Sequence, residues 1–222
     1  MPKLDVERPN GDKSIATLLL AHGAGAPMDS AFMTAITGLL VERELTVVRF
    51  EFAYMAARRV GTSRRPPPKM PVLVEAYREA LALARRQVKS TRFLIGGKSM
   101  GGRVASLIAD EEFAAGRVTG CVCLGYPFHP ANKPASLRTA HLESMRCPTL
   151  IVQGERDALG ERAEVEGLKL SNAIAFAWMR DGDHDLKPRK SADVTHDANL
   201  ETAADAIRCF SQTPTASARG AR

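Results

Sequence analysis

Six apolar runs of strand length are spread along the chain: IATLLLA (15–21), LTVVRFEF (45–52), RFLIGG (92–97), VTGCVCLG (118–125), TLIVQG (149–154) and IAFAWM (174–179). Several are almost continuously hydrophobic and rich in β-branched residues, the pattern of strands covered on both faces. Segments with helical spacing lie between them. Leu73, Ala76, Ala80, Ala84 and Val88 share one face of 72–88, and Leu200, Ala203, Ala204, Ile207 and Phe210 share one face of 197–210. This alternation predicts an α/β fold with a mostly parallel sheet and helices on both faces. Such a sheet places its ligand chemistry beyond the carboxyl ends of its strands.

At 222 residues the chain supports one domain, expected over 1–211, with a disordered tail at 212–222. Only two connections lack a clear helix, 53–70 with Pro66-Pro67-Pro68 and 125–147 with three further prolines; loops that long commonly shape a substrate site. No apolar run approaches the roughly 18 residues that span a bilayer, and the first fourteen residues contain no apolar h-region. A cytoplasmic protein with no membrane partner is expected. Cys121, Cys123, Cys147 and Cys209 lack CxxC spacing and read as reduced packing thiols. The net charge of +6 gathers in RRVGTSRRPPPK (58–69) and in the terminal ARGAR. Neither run has the interleaved aromatics or the module of a nucleic-acid surface, so no nucleic-acid partner is expected. The first run reads as a solvated loop, with an anion-attracting rim of an active site as the alternative.

RFLIGGKSMGGRV (92–104) poses a choice between a phosphate-binding loop ending at Gly97-Lys98-Ser99 and a nucleophilic serine on a tight turn. A phosphate loop needs a glycine five positions before Gly97, where the chain has Arg92, and residues 92–95 read as the strand itself. The following strand ends in Gly125-Tyr126-Pro127, without an aspartate to hold magnesium. Gly97-Lys98-Ser99-Met100-Gly101 fits G-x-S-x-G instead, with a strand before it and a helix-compatible segment, RVASLIADEEFAA (103–115), after it.

A serine nucleophile needs a base, and the base needs an acid that fixes its tautomer. The expected chain order in this fold is serine, acid, histidine. Asp157 follows the strand TLIVQG and His184 follows the strand IAFAWM, so the three groups Ser99, Asp157 and His184 emerge at one sheet edge. His196 falls at the start of the last helix and reads as a surface residue; Asp181, Asp183 and Asp185 flank His184 too closely to face its ring well. His129 and His141 lie in the proline-containing connection, where contact with substrate is one role and a solvated or capping histidine the other. The oxyanion of a tetrahedral intermediate needs preorganised donors. The backbone N–H of Met100 is one, and LLLAHGAGAP (18–27) supplies the second, with Ala24 the expected donor and Gly25 the alternative. As a dinucleotide fingerprint Gly23-Ala24-Gly25 fails, because Met28 takes the third glycine position.

From about residue 15 to 211 the chain resembles the alpha/beta-hydrolase superfamily. LAHGAGAPMDSAFM, FEFAYM, RRPPP, GGKSMGGRVAS, LGYPFHP, PTLIVQGERD and DGDHDLKPRK are similar to a small bacterial, dienelactone-hydrolase-like group, itself similar to the hydrolase-like domain of an NSL-complex scaffold subunit and its testis-expressed relative. The resemblance implies an alpha/beta-hydrolase fold, minimal and without a lid domain, and the set Ser99, Asp157, His184 with Met100 and Ala24. Lys98 departs from the residue many esterases carry before the nucleophile. With Arg58, Arg59, Arg64 and Arg65 it motivates an anionic small-molecule substrate, with Lys98, Gly25 and His129 as substrate-binding candidates. The expectation is a serine hydrolase of a small ester or thioester, with no metal and no organic cofactor. The alternative is a catalytically silent interaction module on the same scaffold. A dienelactone-hydrolase-like activity is a second enzymatic rival, weakened because its familiar nucleophile is cysteine.

Overall fold

The computed structural model describes residues 2–11, 13–61 and 66–213; Arg64, Arg65 and the tail from 214 lie outside the described residues. Seven strands, β1 (Leu4–Glu7), β2 (Ala16–Ala21), β3 (Leu45–Phe50), β4 (Phe93–Lys98), β5 (Gly120–Leu124), β6 (Thr149–Gly154) and β7 (Ile174–Met179), form one sheet in the order β1-β3-β2-β4-β5-β6-β7. Every pairing is parallel except β1 with β3. Among the described residues six helices accompany them: α1 (Ala31–Glu42), α2 (Ala53–Val60), α3 (Met70–Gln87), α4 (Met100–Ala114), α5 (Arg162–Val165) and α6 (His196–Gln212).

The uninterrupted apolar runs have a direct cause, because both faces of the central strands are covered. Leu19 and Ala21 of β2 pack with Leu73, Tyr77, Ala80 and Ala84 of α3 and Ile108 of α4. Leu18 and Leu20, one step out of phase, pack with Met33, Ile36 and Leu40 of α1 and Leu200, Ala203 and Ile207 of α6. Burial of each such side chain stabilises the fold by about 1.5–3 kcal/mol. Cys121 and Cys123, on one face of β5, are fully buried in the α3–α4 layer as free thiols.

Strand order reverses beside β2: the chain moves from β2 out to β3, then returns to β4 on the other side and continues to β7. The carboxyl ends of β2 and β4 therefore open a crevice between loops that diverge, the usual ligand position in such sheets. In register, Ala21 lies opposite Gly97. The turn after β2 thus faces the turn after β4.

Three elements differ from the sequence expectation. β1 is an antiparallel edge strand; Asp5 and Glu7 pair with the buried Arg49 of β3, so its stability comes from a residue more than forty positions away. The 53–70 connection holds α2, an alanine-rich helix that buries only Met55 and so carries little apolar periodicity. The connection from β6 to β7 contains only the four-residue α5 where a longer helix was expected. The 125–148 connection has no helix, and no helix among the described residues is long and apolar enough to cross a membrane.

Candidate active site

Ser99 sits between β4 and α4 with φ 53° and ψ −116°, a conformation that costs a non-glycine residue on the order of 1–3 kcal/mol. The turn is tight enough to exclude side chains on either side. A Cβ on Gly97 would lie 2.5 Å from the Gly101 carbonyl carbon and 2.7 Å from the Ala21 oxygen, and one on Gly101 would lie 2.6 Å from the carbonyl oxygens of Ala21 and His22. The strain holds the Ser99 hydroxyl at the mouth of the crevice. It does not cap α4, as a serine at a helix start usually does.

The hydroxyl is engaged by His184, from the loop after β7, with Oγ 2.8 Å from Nε2. His184 Nδ1 lies 2.8 Å from Oδ2 of Asp157, from the loop after β6. Asp157 is fully buried and also accepts from Gln153 Nε2 at 2.9 Å and from the Leu159 N–H at 2.9 Å. A buried carboxylate facing Nδ1 requires the ring proton there, which leaves Nε2 free to accept from Ser99. The structure brings these three residues into one continuous hydrogen-bonded series.

Met100 begins α4, so its N–H is one of the amides that have no carbonyl one turn earlier. Ala24 and Gly25 lie across the crevice. The Gly23 carbonyl accepts from His22 Nδ1 at 2.6 Å and faces the Tyr54 hydroxyl at 3.3 Å; the Ala24 carbonyl faces that hydroxyl at 3.1 Å and Arg58 at 3.4 Å. All these peptides are trans, which puts the N–H groups of Ala24 and Gly25 on the opposite side from those carbonyls. Among the described residues no acceptor meets the N–H of Met100, Ala24 or Gly25. Ala24 lines both cavities that Ser99 lines, Gly25 lines one of them and Met100 the other.

Two residues that the sequence reading did not single out hold this arrangement. His22 is fully buried; its Nε2 accepts from the Phe52 N–H at 3.1 Å, tying the loop after β2 to the loop after β3, and burial holds its pKa below the ordinary histidine value. Gln153, at the end of β6, accepts from the Tyr126 N–H at 2.7 Å while its amide donates to Asp157. A polar residue at the end of a buried parallel strand is the signal that marks Gln153, and a histidine directly after β2 is the one that marks His22. Tyr54 closes the set, with burial pushing its pKa up to about 12.

The substrate-binding candidates fare differently. Gly25 lines a cavity of about 420 Å³ with Ser99, His184 and Lys98. Lys98 is only 7% exposed, and its Nζ donates to the His184 carbonyl at 2.6 Å and pairs with Asp185 at 3.1 Å; burial lowers its pKa. Its charge is thus committed to the His184 loop rather than offered to a ligand. His129 is not brought to the site: it is buried, with Nδ1 against the Pro130 carbonyl and Nε2 against Glu164, because its loop folds back on α5. Arg59 pairs with Asp29 and Glu51, away from the crevice. His196 bonds the Asp185 carbonyl and His141 bonds Ser106. Asp181 pairs with Arg156 and Arg189.

A second cavity, of about 440 Å³, lies on the other side of Ser99 and Ala24, lined by prolines, Met70, Leu73, Arg103 and Arg138. A third cavity, of about 620 Å³, lies between the N-terminal strand and α2 and touches none of Ser99, Asp157 or His184. Among the described residues no group of three or more His, Cys, Asp and Glu is placed to hold a metal ion.

A family model described as alpha/beta hydrolase domain matches residues 14–212. Among solved structures, the chain is similar to an alpha-beta serine hydrolase homologue from Coxiella burnetii, at 21% identity over 93% of this chain and 90% of that one, with a TM-score of 0.69. It is similar to dienelactone hydrolase from Anabaena variabilis, at 18% identity over 94% and 90% of the two chains, TM-score 0.70. It is also similar to a serine hydrolase without a lid from Xanthomonas campestris, at 18% identity over 95% and 90%, TM-score 0.64. With a family match spanning nearly the whole described chain and a sheet that reverses beside a serine-bearing strand-to-helix turn, this chain belongs to the alpha/beta hydrolase family.

Proposed function

We propose that the protein hydrolyses a small ester or thioester through an acyl-enzyme on Ser99. The observation that carries this reading is the unbroken series Ser99 Oγ, His184 Nε2, His184 Nδ1 and Asp157 Oδ2, with 2.8 Å at each hydrogen bond. Ser99 Oγ attacks the substrate carbonyl carbon while its proton passes to His184 Nε2. Asp157 holds the ring in the accepting tautomer and stabilises the imidazolium. The N–H of Met100 with that of Ala24, or of Gly25, meets the oxyanion, an interaction worth about 2.7–4 kcal/mol per donor in related chemistry. Collapse of the tetrahedral intermediate expels the alkoxide or thiolate, which takes the proton from Nε2. Water then attacks the acyl-enzyme, gives its proton to Nε2, and the acid leaves as Ser99 Oγ recovers that proton.

The cavities on either side of Ser99 and Ala24 supply separate places for the acyl chain and the leaving group. The reading is tested with 4-nitrophenyl esters of short acids: wild type should turn over with a burst of nitrophenolate, and Ser99→Ala and His184→Ala should each lower kcat by about a thousandfold or more. Turnover that survives in Ser99→Ala would refute it.

A further inference from the structure

Two guanidinium groups line the cavity on the α4 side of Ser99 with no carboxylate to balance them. Arg103 stands one turn along α4, its N–H bonded to the Ser99 carbonyl, and Arg138 reaches the same cavity from the 125–148 connection. Among the described residues neither side chain makes an ion pair or a hydrogen bond, and the Nε of Arg103 is buried with no partner. Arg49, Arg59, Arg117, Arg156, Arg162 and Arg189 all sit on carboxylates. Nor do the described segments that line it supply an acid: residues 66–70 and 126–140 contain no Asp or Glu.

The two cations also act on each other. The pKa of Arg138 is lowered, first by burial and then by the charge of Arg103, and Arg103 likewise contributes to lowering that of His141. Two partly desolvated like charges with unused N–H donors are relieved by an anion between them, and a guanidinium fork matches planar or tetrahedral oxyanions in two-point geometry. The lining that these groups share with Ser99 is otherwise largely apolar, with Met70, Leu73 and Pro127.

We propose that Arg103 and Arg138 form an anion subsite, so that the substrate is an ester or thioester whose apolar segment ends in a carboxylate or phosphate. This rests on the hydrolase reading for the position of the reacting carbonyl, but not for the binding itself. It also moves the expected anion recognition from Lys98 and the cluster Arg58, Arg59, Arg64 and Arg65 to a different pair of residues.

The test is calorimetry on Ser99→Ala protein with glutaric acid monoanilide, 4-phosphonobutyranilide and neutral pentananilide. At least one anionic anilide should bind about tenfold or more tightly than the neutral one, as charge-assisted bonds to a fork require, and the advantage should shrink with salt. Arg103→Gln and Arg138→Gln, each checked by thermal melting, should remove it; which anion binds better identifies the group. Equal binding of charged and neutral anilides, no binding of either anionic one, or an advantage untouched by both substitutions would overturn the subsite. Fluorophosphonate labelling of the wild type at Ser99 tests the hydrolase reading separately, so either idea can fail alone.

Discussion

Gln153→Glu changes one atom in a fully buried side chain and should make folding depend on pH in a direction opposite to that of most carboxylates. Gln153 Oε1 accepts from the Tyr126 N–H at 2.7 Å, which a carboxyl oxygen can still do. Its Nε2, however, faces only acceptors: Asp157 Oδ2 at 2.9 Å, the Tyr126 carbonyl at 3.2 Å and the Gly160 carbonyl at 3.2 Å. An ionised oxygen in that place would meet three oxygens and no donor, so the introduced carboxyl stays protonated in the folded protein. Its folded pKa is then above the ordinary glutamate value of about 4.3, and the unfolded chain releases a proton that the folded chain keeps. The pH-dependent loss is therefore absent below about pH 4.3 and grows as pH rises. At about 1.36 kcal/mol per pH unit, the loss reaches about 1 kcal/mol at pH 5 and about 4.4 kcal/mol at pH 7.5 if the carboxyl remains protonated throughout. Urea unfolding of wild type and variant at both pH values measures it. A gap between them that stays constant to within about 1 kcal/mol would refute the all-acceptor surroundings of the Gln153 amide.

Gly97→Ala should destabilise the fold by about 2–4 kcal/mol in urea unfolding, because all three close neighbours of the new Cβ, at 2.5–2.7 Å, are backbone atoms; a loss under about 1 kcal/mol would contradict the tightness of the turn. Lys98→Met removes the donor to the His184 carbonyl and should lower kcat about tenfold with KM within about twofold, the size of one charge-assisted bond. A rise in KM at constant kcat would instead make Lys98 a substrate contact. His141, whose pKa burial and then Arg103 push down to about 4, takes up its proton later than the unfolded chain does as pH falls. Stability should drop between about pH 6.5 and 4, by at most about 3.4 kcal/mol and by about half that after allowing for its solvent exposure, and His141→Gln should flatten this limb in thermal melts.

The sheet was legible because its central strands are buried on both faces, which leaves uninterrupted apolar runs such as 16–21 and 149–154. The loops after β4, β6 and β7 were legible because one residue in each had the right chemistry at a strand end. What escaped depends on contacts distant in sequence. β1 is charged and short, and Arg49 completes it. The basic residues Lys98 and Arg59 looked available to a ligand until their partners, Asp185 and the pair Asp29 and Glu51, were brought near by folding. His129 looked like part of the crevice until its loop turned it onto Glu164. Arg103, one helical turn from Ser99, fell within a segment legible only as helix.

The most direct test of the central claim is fluorophosphonate labelling of purified protein, read by intact mass and peptide mapping beside Ser99→Ala and His184→Ala. The account predicts a single adduct on Ser99, formed in wild type and absent or strongly slowed in both variants. A folded wild type that stays unlabelled, or an adduct on a serine other than Ser99, would contradict it.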